Sequence, residues 1–117
     1  MSEEKIYIYH TNDLHSDLTY WPRIANELRE KRAIREEKGD FVLVFDIGDA
    51  VDRVHPLTEA TDGQAISTLL SEGQYDAVTI GNNEGITNSK EQLNQLYKKS
   101  KYDVILTNLL DDETKEI

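Results

Sequence analysis

The chain has 117 residues, 38% of them apolar, a formal charge of −10 and no cysteine. That length suits one domain with a core of its own. The missing thiols exclude a disulfide scaffold and a thiolate metal site, and they permit a reducing compartment. The acidity argues against nucleic acid or an anionic membrane as partner.

No apolar run approaches membrane-spanning length. Met1-Ser2-Glu3-Glu4-Lys5 has neither the basic nor the apolar region of a signal peptide. A soluble, cytoplasmic protein is the expectation.

Lys5–His10 is a β-branched and aromatic run and reads as the first strand. It leads into His10-Thr11-Asn12-Asp13-Leu14-His15 and a polar loop to Thr19. Pro22 suits the first turn of a helix that runs to Lys38 and stops at Gly39. That helix has few apolar positions (Ile24, Ala25, Leu28, Ile34). Its dense charge, from Arg29 to Glu37, reads as a solvated face rather than a partner-binding one.

Phe41–Phe45 is apolar without alternation, as in a parallel strand buried on both faces. Asp46-Ile47-Gly48-Asp49-Ala50-Val51-Asp52-Arg53 follows, then a loop with Pro56 and Gly63. Gln64–Glu72 reads as a short helix, with Ala65, Ile66, Leu69 and Leu70 inward. Asp76–Ile80 is the third strand and runs into Gly81-Asn82-Asn83-Glu84-Gly85. Ser89 with Gln92 forms a capping box for a helix to Lys99, whose buried stripe is Leu93, Leu96 and Tyr97. Asp103–Thr107 is the fourth strand, and the acidic tail from Asp111 is expected to fray. The order β-α-β-α-β-α-β predicts an α/β fold on a mostly parallel sheet with right-handed crossovers.

Asp-x-His is common in polar loops, and its weight here comes from the next two strands. Three successive strands end in polar turns: Asp13 and His15, Gly48-Asp49, and Gly81-Asn82. In a parallel sheet such turns share one edge, where ligands gather. Glycine lets the backbone come close to a ligand. Two carboxylates, an imidazole and an amide oxygen together suit Mn, Fe or Zn ions.

These residues resemble the calcineurin-like metallophosphoesterase signature: Asp-x-His, Gly-Asp-x-x-Asp, then Gly-Asn-His-Glu. The opening His10–His15 and the pair Asn108-Leu109 are similar to the 5′-nucleotidase and cyclic-nucleotide phosphodiesterase branch. The resemblance implies one half of a two-sheet αββα sandwich and two divalent metal ions. Asp13 and His15 would be ligands of the first metal, Asp49 the carboxylate shared by both, and Asn82 a ligand of the second. It also implies a metal-held hydroxide attacking phosphorus in line, on a small phosphorylated substrate such as a nucleotide. The cations would invert the local field of an acidic site that otherwise repels phosphate.

Two departures stand out. Asn83 occupies the place of the histidine that assists the leaving group in the family. Asn83 donates a neutral hydrogen bond and shuttles no proton. By analogy with a lost oxyanion donor, that costs about 10²–10³-fold in rate. The family's downstream histidine ligands also have no counterpart: the three histidines are His10, His15 and His55. Residues 1–117 therefore read as the N-terminal part of a metallophosphoesterase domain, without the rest of the domain or a C-terminal substrate domain, and inactive alone.

By the same resemblance, Asp52-Arg53 places Arg53 as a phosphate-binding residue, with an ordinary surface arginine as the alternative. Asp46 is read as a supporting or loop carboxylate, His55 as a loop residue, and His10 as a hydrogen-bonded group in the core or behind the ligands. Tyr20 and Trp21 are read as packing residues of the first helix. A half-sandwich leaves an apolar face open, so a homo-oligomer is expected. The rival reading is a non-catalytic metal- or nucleotide-binding module. A phosphoaspartate-type phosphatase built on Asp46 would need a second carboxylate two residues on, where Gly48 stands.

Overall fold

The computed structural model describes residues 3–52, 54–61, 63–86, 88–106 and 113–114. Four strands form one sheet in the order β1 (Ile6–Thr11), β2 (Phe41–Asp46), β3 (Ala77–Val78), β4 (Asp103–Val104), every neighbouring pair parallel. Between them run α1 (Trp21–Glu37), α2 (Pro56–Thr61), α3 (Gln64–Glu72), α4 (Asn82–Gly85) and α5 (Lys90–Leu96). With the parallel strands laid side by side in chain order, α1, α3 and α5 pack into one core with β2 and β3.

Burial follows that geometry. Val42, Val44 and Asp46 of β2 point into a core with Trp21, Ala25, Leu28, Ile66, Leu70, Val78 and Leu96. Among the described residues the opposite face is open. Ile6 and Phe41, paired in register, are 65% and 62% exposed, and Ile8, His10 and Ile105 are exposed beside them.

The sequence reading needs correction at several points. Phe41–Phe45 is buried on one face only, because among the described residues nothing covers the other. His10 stands on that open face rather than in a core. Tyr20 and Ile34 are exposed, whereas Trp21 is buried and stacks on Tyr75 with centroids 6.2 Å apart. The stretch after Asp52 contains α2, and Asn82–Gly85 is a helical turn. The Ser89–Gln92 capping box forms, but α5 ends at Leu96.

The charged face of α1 is not wholly solvated. The Arg32 guanidinium donates to the Asp76 carboxylate at 2.5 Å and to the Gln74 carbonyl at 3.1 Å. Asp76 in turn accepts from the Val44 N–H, so one carboxylate joins α1, β2 and the start of β3. Arg35 lies over the Tyr7 ring, 4.1 Å from its centroid.

Candidate metal centre

The β1–β2 ladder does not stop at the strand ends. Ile47 N–H donates to Thr11 O, Asp13 N–H to Gly48 O, His15 N–H to Asp49 O, and Ser16 N–H to Ala50 O. The first two turns therefore leave the sheet side by side. Asp13, His15 and Asp49 follow this path in the left-handed region, at φ of 55°, 50° and 55°. Non-glycine residues seldom adopt that conformation; each costs of order 1 kcal/mol and needs its surroundings to hold it. Here the cross-turn hydrogen bonds do so, and the side chains are turned toward one another.

The outcome is a cluster in which one ligand atom from each of Asp13, His15 and Asp49 lies within 4.8 Å of the other two. His15 Nε2 is 3.5 Å from Asp13 Oδ1. Asn82 reaches the cluster from the third turn. With its amide nitrogen toward the carboxylate, it donates to the Asp49 oxygens at 2.8 and 3.2 Å. Asn83 N–H also donates to Asp49 Oδ1, at 3.0 Å. The four residues named from sequence thus meet at one rim of the sheet. Two carboxylates and an imidazole at this spacing fit a divalent cation, with an amide oxygen that a half-turn brings to it.

Two glycines make the approach possible. Gly48 has φ +111°, and a Cβ there would stand 3.2 Å from Gly81 N. A Cβ on Gly81 would lie inside contact with Asp49 Oδ1 and 2.5 Å from Asp49 N. The second and third turns are therefore packed backbone to backbone.

Two buried carboxylates hold this arrangement from below. Asp46, 2% exposed, accepts from Thr11 Oγ1 at 2.6 Å and from Gly48 N–H at 3.1 Å. Glu84, 1% exposed, accepts from Val51 N–H at 2.9 Å and Gly81 N–H at 3.0 Å. The sequence reading gave Glu84 no role, although a glutamate at the third position of a helical turn is a recognisable cap. Ser16 was missed too. Its hydroxyl accepts from Asp52 N–H at 2.7 Å and lies 2.8 Å from Thr58 Oγ1, which ties α2 to the site. Arg53 lies outside the described residues, as do Asn108 and Leu109. His55 is a loop residue whose Nδ1 accepts from Leu57 N–H.

The chain matches the calcineurin-like phosphoesterase family over residues 6–114. It is 47% identical over 109 residues to the uncharacterized metallophosphoesterase YunD of Bacillus subtilis (strain 168). The chain belongs to the calcineurin-like phosphoesterase family. The match to YunD takes in 93% of this chain and 24% of that protein. The fold also superposes on NAD nucleotidase (NadN) of Haemophilus influenzae with a TM-score of 0.76 and 23% identity, over 92% of this chain and 24% of that one. The chain thus spans about a quarter of the length of either. The family implies divalent metal ions, and Asp13, His15 and Asp49 supply a site that suits one. Among the described residues no helix is long and apolar enough to cross a membrane.

Burial pushes the Asp46 carboxyl above its ordinary value. The bonds from Thr11 and Gly48 oppose this, and the charges of Asp13 and Asp49 add to it. A carboxyl raised in the folded state binds more protons there than when unfolded, so its contribution falls as pH rises through the raised value. Asp46→Asn can keep both contacts, with Oδ1 accepting from Gly48 and Nδ2 donating to Thr11 Oγ1. Without metal, it is expected to be more stable than the wild type at pH 7. Its advantage should shrink as pH falls toward the ordinary carboxyl range near about 4. Urea unfolding of both proteins at a series of pH values checks this; a constant difference contradicts it.

Proposed function

We propose that this chain carries the first part of the dinuclear centre of a metal-dependent phosphoesterase that acts on a small phosphorylated compound of the nucleotide class. The observation that carries the reading is the convergence of Asp13, His15 and Asp49 with Asn82 on one rim. In this reading Asp13, His15 and Asp49 would hold one cation, and Asp49 with Asn82 would contribute to a second. Divalent cations in such a site supply an activated water nucleophile and neutralise phosphoryl oxygens.

The protein's own part is positional. The cross-turn hydrogen bonds fix the spacing of the donors, and Asp46 and Glu84 fix the backbone beneath them. Asn83 would offer a neutral amide where other family members place histidine, and Arg53 is proposed to bind phosphate. Asn83 restricts the chemistry to leaving groups that need no proton from this position, or to one protonated elsewhere. The similarity to NadN supports a nucleotide substrate through its name and fold alone.

Asp13, His15, Asp49 and Asn82 are too few protein ligands for two tight sites. We therefore place the remaining ligands, and a second sheet over the open face of β1 and β2, outside residues 1–117. A second copy of the chain is the alternative cover. The 117-residue chain alone is expected to show no measurable hydrolysis of bis(p-nitrophenyl) phosphate with Mn²⁺. A longer protein that includes it should show turnover lost on chelation. Turnover by the short chain, or none by the longer protein, overturns this reading.

A further inference from the structure

Two different kinds of connection hold the three turns together. The first and second are joined by backbone: the bonds from Asp13, His15 and Ser16 to the carbonyls of Gly48, Asp49 and Ala50. The second and third are not. Pairing between β2 and β3 ends where Thr79 N–H meets Asp46 O, and beyond it no backbone hydrogen bond among the described residues links residues 47–52 to residues 80–86. Two carboxylates cross that gap. One is Asp49, which accepts from Asn83 N–H. The other is Glu84, with one oxygen on Val51 N–H and the other on Gly81 N–H.

Asp49 is a weaker tie once it is also a metal ligand. An oxygen that turns to a cation gives up part of its hold on Asn83 and Asn82. Glu84 has no such conflict: it is fully buried and aimed away from solvent. Its contacts fall two residues after Asp49 and one before Asn82, so they register the two donors to each other. A carboxylate is also the side chain that fits. It offers acceptors on both oxygens, whereas glutamine at the same place would set its amide hydrogens against one of the two N–H groups. Burying a charge this deeply has a cost that a mere helix cap would not require.

We propose that Glu84 is a positioning residue: it fixes the separation of the Asp49 and Asn82 turns and so sets the affinity of the cation site. This rests on the metal-centre reading above. The test is Mn²⁺ titration of the 117-residue chain in four forms: wild type, Asp49→Asn, Glu84→Gln and Ser67→Ala. Ser67 is buried and bonded to Tyr102 away from the rim, so Ser67→Ala reports what general loosening does. Thermal unfolding of each metal-free form is measured in parallel.

Groups that orient metal ligands change affinity by about 10–100-fold. Glu84→Gln is expected to raise the Mn²⁺ Kd by that factor, and Ser67→Ala to leave it within about twofold at a similar loss of thermal stability. Equal shifts in the two variants, or none in Glu84→Gln, overturn the proposal. If Glu84→Gln does not fold, Glu84→Asp keeps the charge but is too short for both contacts. It should weaken Mn²⁺ binding severalfold, and an unchanged Kd overturns the proposal. A wild type that takes up no Mn²⁺, or one matched by Asp49→Asn, refutes the metal centre itself rather than the role of Glu84 within it.

Discussion

Gly81→Ala is expected to disable the cation site and to weaken the fold at the same time. The backbone of Gly81 is ordinary, at φ −90° and ψ −175°, so alanine is not excluded by conformation. It is excluded by its neighbour. The added methyl would fall inside contact with Asp49 Oδ1 and within 2.5 Å of Asp49 N and 2.7 Å of Cγ. Relief requires the whole second turn to move, because that turn is fixed on its other side to Asp13, His15 and Ser16. Overpacking of this kind costs about 1–3 kcal/mol. The shift also pulls Gly81 N–H from Glu84 and Asn82 from Asp49. Mn²⁺ affinity should fall at least about tenfold, the lower bound for losing the support of metal ligands. Titration and urea unfolding of the same preparation measure both effects. A variant with wild-type affinity would mean that the two turns need not touch.

Asp49→Asn separates the two effects that Gly81→Ala combines. Asparagine tolerates the left-handed backbone of position 49 better than most residues, and its Oδ1 can still accept from Asn83 N–H. What disappears is the charge. Burial raises the carboxyls of both Asp46 and Glu84, and the Asp49 charge adds to the rise in each. Removing it relieves two strained anions. The metal-free variant is therefore expected to be at least as stable to heat as the wild type. Mn²⁺ affinity should fall at least about a hundredfold, beyond the range for losing a merely supporting group. Greater stability with lost binding is the signature of a residue kept for its ligand. Destabilisation with retained binding would assign Asp49 to the fold instead.

Much of the site was legible because strand periodicity and turn residues are local. The run Phe41–Phe45 and the turn Gly48-Asp49 can be read within a few residues, and parallel order then puts the strand ends on one edge. Non-local features were not legible. The open sheet face is expected only through the family resemblance, which implies half of a sandwich; no pattern in Phe41 or His10 themselves shows it, since it depends on what packs there. The left-handed backbone at Asp13, His15 and Asp49 arises from the cross-turn hydrogen bonds and leaves no mark in composition. Arg32 reads locally as a solvated charge because its partner, Asp76, lies forty-four residues on. Glu84 closes the Gly81-Asn82-Asn83-Glu84 turn, but its partner Val51 lies in a different turn.

In the proposed reading the rim where Asp13, His15, Asp49 and Asn82 converge is where divalent cations would bind. Paramagnetic line broadening in a ¹H–¹⁵N spectrum of the chain tests it directly, with Mn²⁺ added well below stoichiometric amounts. The amides of residues 13–16, 48–50 and 81–83 should broaden first and together, and Asp49→Asn should abolish the effect. Broadening that begins among the other acidic residues, or that spreads evenly over the surface while these turns stay sharp, would contradict the account.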